Sequence, residues 1–177
     1  MRPLTRRDTL ALLTALSLFL SAIEYLVPKP IPFMRIGLAN LSLLIALEVL
    51  NKKDFLLLTG LKILLQGLLY GTLFSPLIIL SLGGSLSGAL TMLLLHRTLK
   101  KHISMIGISL AGALVNNSIQ VLLAGVMVFG KQAFYLFPPF LIVGTISSLL
   151  LGLFADIFIS RSRWVLMAKG LKAKGEQ

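Results

Sequence analysis

Polar side chains able to bind or react are few in this chain, and they sit at regular places along it. Glu24 and Arg35 flank a proline-rich stretch, IEYLVPKPIPFMRIGLAN from Ile23 to Asn40, so a hairpin there brings opposite charges together. Pro28, Pro30 and Pro32 lack a backbone donor and bias each preceding residue toward extended conformations, which predicts a stiff extended link. That link is either part of the rim of a binding cavity or a rigid turn with an ion pair at headgroup level. Further along, Lys62, Gln66 and Tyr70 are spaced four apart and stack on one helix face. Asn116 and Asn117 reach Gln120 at spacings of four and three, which clusters three amides. Amides buried in a membrane need partners. They either bond to neighbouring helices, for ~0.6 to 2 kcal/mol each, or line a wet cavity. Two adjacent Asn with a Gln point to the cavity.

Other chemistries find no support. The chain has no cysteine, which excludes disulfides, thiolate metal sites and cysteine nucleophiles. His96 and His102 are six apart with no third ligand nearby in sequence, so no metal site is expected. SLGGSLSG, from Ser81 to Gly88, lacks the following Lys and the soluble strand-loop-helix setting of a phosphate loop. Its small residues instead let helices approach closely. No catalytic residue, cofactor or metal is therefore expected.

The elements that must position these residues are membrane helices. Of 177 residues 56% are hydrophobic, and the mean hydropathy is +0.94. Such a chain lacks the polar surface to cover itself in water. Apolar runs of about 20 residues match a hydrocarbon core of about 30 Å. The first helix is predicted from about Thr9 to Val27, capped by Asp8 or Thr9 and stopped by Pro28. It carries Ala11 and Ala15, a small-xxx-small pair on one face. The second runs from Arg35 or Ile36 to Leu50, short for a crossing, and the polar turn 51–54 leads to a third from Phe55 to Phe74. The fourth follows Ser75 and Pro76 and reaches Leu95, the fifth spans about Ile103 to Phe129, and the sixth about Phe134 to Ile159. Asp156 is expected to meet Arg161 or Arg163. The expected fold is an all-α six-transmembrane-helix bundle over residues 1–160. Residues 161–177 read as a basic cytoplasmic tail that lies along the membrane surface or contacts a partner.

Six crossings put both termini on one side. That side collects Arg2, Arg6, Arg7, Lys52, Lys53, Arg97, Lys100, Lys101, Arg161, Arg163, Lys169, Lys172 and Lys174, whereas the other has Lys29, Arg35 and Lys131. The positive-inside rule then places the termini in the cytoplasm and the chain in the inner (plasma) membrane. The net charge of +11 thus marks topology, and no nucleic-acid partner is expected. In this orientation Glu24, Arg35, Asn40, Gln66, Tyr70, Asn116, Asn117 and Gln120 all fall in the outer half or the middle of the membrane. Their common depth predicts a polar pocket open to the outside for a small solute. Lys62 lies deeper and is expected to snorkel toward the inner edge.

The strings VPKPIPFMRIGLAN, LLQGLLYGTLFSP, LSLGGSLSG and IGISLAGALVNNSIQ resemble the Gx transporter family, also labelled heptaprenyl diphosphate synthase component I, over roughly Ile23 to Asp156. The family usually shows His-Asn where this chain has Asn116-Asn117. The family in turn resembles the substrate-binding S components of energy-coupling factor transporters. That resemblance implies uptake of a vitamin- or cofactor-like solute, with an alanine pair, here Ala11 and Ala15, docking a transmembrane coupling subunit driven by cytoplasmic ATPases. The other label implies prenyl diphosphate synthesis, which needs carboxylates grouped to hold Mg²⁺ against a diphosphate. Asp8, Glu24, Glu48, Asp54, Asp156 and Glu176 are too scattered for any local motif of that kind. The expectation is a non-enzyme, with an accessory membrane subunit of the synthase as the alternative.

Overall fold

The computed structural model describes residues 5–28, 36–99 and 102–175, and among them every regular element is a helix. Thr5 caps α1 (Arg6–Leu26): its Oγ1 accepts from the Asp8 amide, and Asp8 accepts from the Thr5 amide at 2.8 Å. This reciprocal box starts the helix earlier than the expected cap at Asp8 or Thr9. α2 (Asn40–Val49) starts later than Arg35 or Ile36, because Gly37 takes φ +86° and turns the chain before the helix can begin. α3 (Lys52–Leu69) stops short of Phe74. Gly71 sits at φ +65° and the Thr72 amide bonds back to the Gly67 carbonyl at 2.8 Å, a Schellman closure. α4 (Leu77–Thr98) and α5 (Met105–Ala124) follow, and α5 passes through a π turn (Gly125–Phe129) and a 3-10 turn (Gly130–Leu136) into α6 (Phe137–Arg161).

Four helical stretches are long and apolar enough to cross a membrane: α1, α4, α5 with the start of its π turn, and α6. α2, at 10 residues, spans about 15 Å and is not among them. It is the centre of the molecule instead. Leu41 to Leu47 are buried without a break, as are Val49 and Leu50, so every face of α2 is covered. The outer helices carry the opposite pattern, with Phe19, Leu64, Leu68, Leu94, Leu150 and Phe154 all more than half exposed. Water would not tolerate so continuous an apolar exterior; lipid does. The polar residues are inside. Ser21, Glu24, Ser42, Thr59, Lys62 and Gln66 are all at most 4% exposed.

Residues 163–175, read from the sequence as part of a basic tail, form α7 (Arg163–Gly175) and belong to the core. Val165 and Ala168 are 0% and 1% exposed and pack in the same cluster as Leu13, Leu44 and Ala155. Lys169 Nζ meets Glu48 at 2.6 Å, and His96 Nε2 lies 3.0 Å from the other carboxylate oxygen, so one buried-end carboxylate ties α7 to α2 and α4. Arg6 forks onto Asp54, which fastens the starts of α1 and α3 together. Asp156 does not meet Arg161 or Arg163. It is exposed on α6 and makes no ion pair among the described residues, because the turn of the helix carries it away from the chain end. Ala168→Leu should overfill the α7 seat and destabilise the protein by about 1–3 kcal/mol, while Leu166→Ala on the exposed side should change stability by under about 0.5 kcal/mol. Thermal unfolding of the two variants in detergent measures the difference, and equal silence would make α7 a loose tail.

Candidate functional site

The segment from Ile36 to Asn40 is held from three sides. From α1, Glu24 is completely buried and its Oε2 accepts from the Gly37 and Leu38 amides at 3.1 and 2.9 Å. From α6, Ser147 Oγ donates to the Ile36 carbonyl at 2.7 Å. From α3, Lys62 Nζ donates to Asn40 Oδ1. A buried carboxylate and a buried ammonium are each costly in an apolar interior, and both are directed at this one turn. Lys62 does not snorkel to the inner edge as expected. It is 4% exposed and spends its charge on Asn40, at the first residue of α2.

Across from this turn stand the amides of α5. Asn117 Nδ2 donates to the Phe140 carbonyl at 3.2 Å, Asn116 Nδ2 donates to Asn117 Oδ1 at 3.3 Å, and Gln120 Nε2 donates to Asn116 Oδ1 at 3.1 Å. A carbonyl only accepts, so Phe140 fixes the orientation of all three amides in sequence. The neighbouring helices leave notches for them. A Cβ on Gly144 would lie 1.9 Å from Asn117 Nδ2, and one on Gly84 would lie 2.5 Å from Gln120 Cγ and 2.7 Å from Asn116 Oδ1. The small residues of SLGGSLSG thus serve the polar cluster as well as helix packing.

Between the turn and the amides lies a small cavity whose walls include Gly37, Asn40, Asn116, Asn117, Ser109 and Ser148. Three of the residues singled out in the sequence therefore meet there: Asn40, Asn116 and Asn117. Gln120 sits at the back of the amide chain and lines a separate, mostly apolar cavity with Leu80, Phe129 and Phe140. Gln66 and Tyr70 are placed elsewhere. Gln66 Nε2 donates to Ser21 Oγ at 2.9 Å and Tyr70 OH to the Ser21 carbonyl at 3.1 Å, while the Tyr70 ring lies 5.4 Å from that of Tyr25, so both fasten α3 to α1. Arg35, and with it the rim pair expected with Glu24, lies outside the described residues. The sequence reading missed Gly37, Ser109, Ser147 and Ser148, and it placed Lys62 wrongly. The one available signal was the Lys62-Gln66-Tyr70 stripe, which already put Lys62 on an inward face.

The free space in the polar cavity is about 10 Å³, room for a single water. In place of the open pocket expected from the sequence, the structure has a closed polar seam. A larger solute enters only when the turn at Gly37 and the amides of α5 move apart.

An apolar-coated helical bundle with ionised and amide side chains gathered inside is the architecture of an integral membrane protein. The chain belongs to the heptaprenyl diphosphate synthase component I family, whose family model matches residues 13–158 and so takes in the Gly37 turn, the amides and the whole of the cavity wall. No curated protein and no solved structure matches it.

The notch at Gly144 makes a direct prediction. Gly144→Ala should push Asn117 off the Phe140 carbonyl and cost about 1–3 kcal/mol of stability. In an Asn117→Ala background the same change should cost far less, because the colliding atom is gone. Melting temperatures of the two single variants and the double variant close the cycle. Additive losses would mean that Asn117 and Gly144 do not meet.

Proposed function

We propose that this protein is a membrane-embedded solute-binding subunit, similar in role to the S component of an energy-coupling factor transporter, for a small vitamin- or cofactor-like solute. The observation that carries the reading is the convergence of Asn40, Asn116 and Asn117, from two helices distant in sequence, on one internal cavity. Helix-to-helix fastening alone does not require a cavity, as Gln66 and Tyr70 illustrate on α3. Both termini are assigned to the cytoplasm of an inner (plasma) membrane by the basic side chains that collect near them.

Driving the cycle falls to a partner. Ala11 and Ala15 are both exposed on α1, so neither is used for packing within the chain. Two small residues four apart leave a shallow strip on which another helix can lie close, which fits a transmembrane coupling subunit served by cytoplasmic ATPases. Catalysis is not assigned to this chain. Asp54 is committed to Arg6, Glu48 to His96 and Lys169, and Glu24 to the Gly37 turn, so these carboxylates are not grouped to hold Mg²⁺ against a diphosphate.

The family description favours a second reading, a non-catalytic membrane subunit that accompanies a heptaprenyl diphosphate synthase. The two readings separate on partners. Replacing Ala11 and Ala15 together by Leu should leave solute binding intact while abolishing uptake and copurification with a coupling subunit. Unchanged uptake would remove the docking role, and recovery of a prenyl synthase subunit with no ATPase would favour the second reading. A screen of flavins, vitamins, quinone precursors and isoprenoids by thermal shift tests binding itself. Saturation at 100 times Kd stabilises by about 2.7 kcal/mol, and a folded protein that none of these stabilises would end the solute reading. Because the chain has no native cysteine, single cysteines at Lys53 and Arg163 test the orientation: impermeant thiol reagents should label both from the cytoplasmic side only.

A further inference from the structure

The cavity has a chemical polarity, and it is set by Lys62. A lysine ammonium can only donate, so the atom of Asn40 that faces Nζ must be the carbonyl oxygen, Oδ1. The other end of the amide, Nδ2, is thereby turned to the opposite side. There it lies over Gly37, 3.0 Å from where a Cβ would stand, on the wall that Gly37 and Asn40 share. No hydrogen bond from Nδ2 joins it to another described residue. Across the cavity, Asn116 and Asn117 are oriented by the Phe140 carbonyl so that each has spent one N–H and kept the other. The fixed groups left over on both walls are therefore N–H donors.

We infer that the site takes the oxygen-bearing head group of its solute, a carboxylate or carbonyl that accepts from Asn40 Nδ2, and that Lys62 is the positioning residue that imposes this preference. The inference rests on the solute-binding reading and adds the class of group bound. Lys62 does not touch the solute. It acts through the orientation of Asn40, and its charge, one side chain removed, favours an anionic oxygen over a cationic nitrogen. A head group that only donates would meet Nδ2 donor to donor, and that mismatch is how the site would reject amines.

A change of one atom tests this. Asn40→Asp keeps an oxygen for Lys62 and replaces the Nδ2 donor by an acceptor, and an acidic residue in the first turn of α2 suits the helix dipole, so the variant should fold. The probes are butyrate, butyramide and butylamine, which share a carbon chain and differ in the head group. With the full chain in detergent, butyrate and butyramide should raise the melting temperature and butylamine should not. In Asn40→Asp the affinity for butyrate should fall about 10- to 100-fold and butylamine should become the better ligand. Lys62→Met, which frees the amide to turn either way, should narrow the preference between butyrate and butylamine without reversing it. Butylamine binding to the unaltered protein as well as butyrate does, or an unchanged ranking in Asn40→Asp, overturns the inference alone. Should none of the three probes bind, the inference falls; the solute-binding reading falls with it only if the wider solute screen is also silent.

Discussion

Everything in the centre of this protein depends on where the Glu24 carboxylate goes. A charge with no solvent would be intolerable at 0% exposure, and Glu24 solves this by accepting two backbone amides, those of Gly37 and Leu38. Those amides are free to point at it because the chain has already left the extended link and Gly37 has taken a left-handed conformation. A side chain at 37 would be strained in that conformation and would press on Asn40 as well. The carboxylate thus decides where α2 begins. Once α2 begins at Asn40, its ten residues lie wholly inside the bundle, and the other helices are arranged as its shell.

The second constraint is complementarity between small and polar residues. Amides inside a membrane protein must be both housed and bonded, and the two demands are met by different helices. α4 and α6 supply the room through Gly84 and Gly144, while the Phe140 carbonyl supplies the terminal acceptor. Glycine costs a helix about 1 kcal/mol relative to alanine. Here the loss is offset by close backbone approach and by a chain of three oriented hydrogen bonds. Gly112 and Gly152 extend the same logic away from the amides, against Met92 and the backbone of Ile106.

Much of this was legible in the sequence, and the residues show why the rest was not. The ends of α1 and the start of α6 follow from proline geometry, and the amide cluster follows from spacing on one helix. The Glu24-to-amide contact does not. Opposite charges across a turn suggested a pair with Arg35, and nothing in a sequence says that a carboxylate will prefer backbone donors exposed by a left-handed glycine. Lys62 was misplaced for a related reason. A flexible four-carbon stem reaches either the membrane edge or an internal partner, and only the position of Asn40 on another helix decides between them. α7 was read as a tail because its lysines dominate its composition, although Val165 and Ala168, three apart, mark the face that packs.

The closed state of the cavity constrains how such a site can work. Asn116, Asn117 and Gln120 are bonded to one another and to Phe140, and Asn40 is bonded to Lys62, so the seam is stable with nothing larger than water in it. A solute therefore gains only the difference between its own bonds and whatever packing it displaces. Head groups that leave the amide chain intact and use its spare N–H groups bind at least cost. Those that need its oxygens must break the chain, and then several buried amides lose partners at once. Selectivity in this design comes from what the empty site already satisfies, and the same bonds that close the seam define the group that can open it.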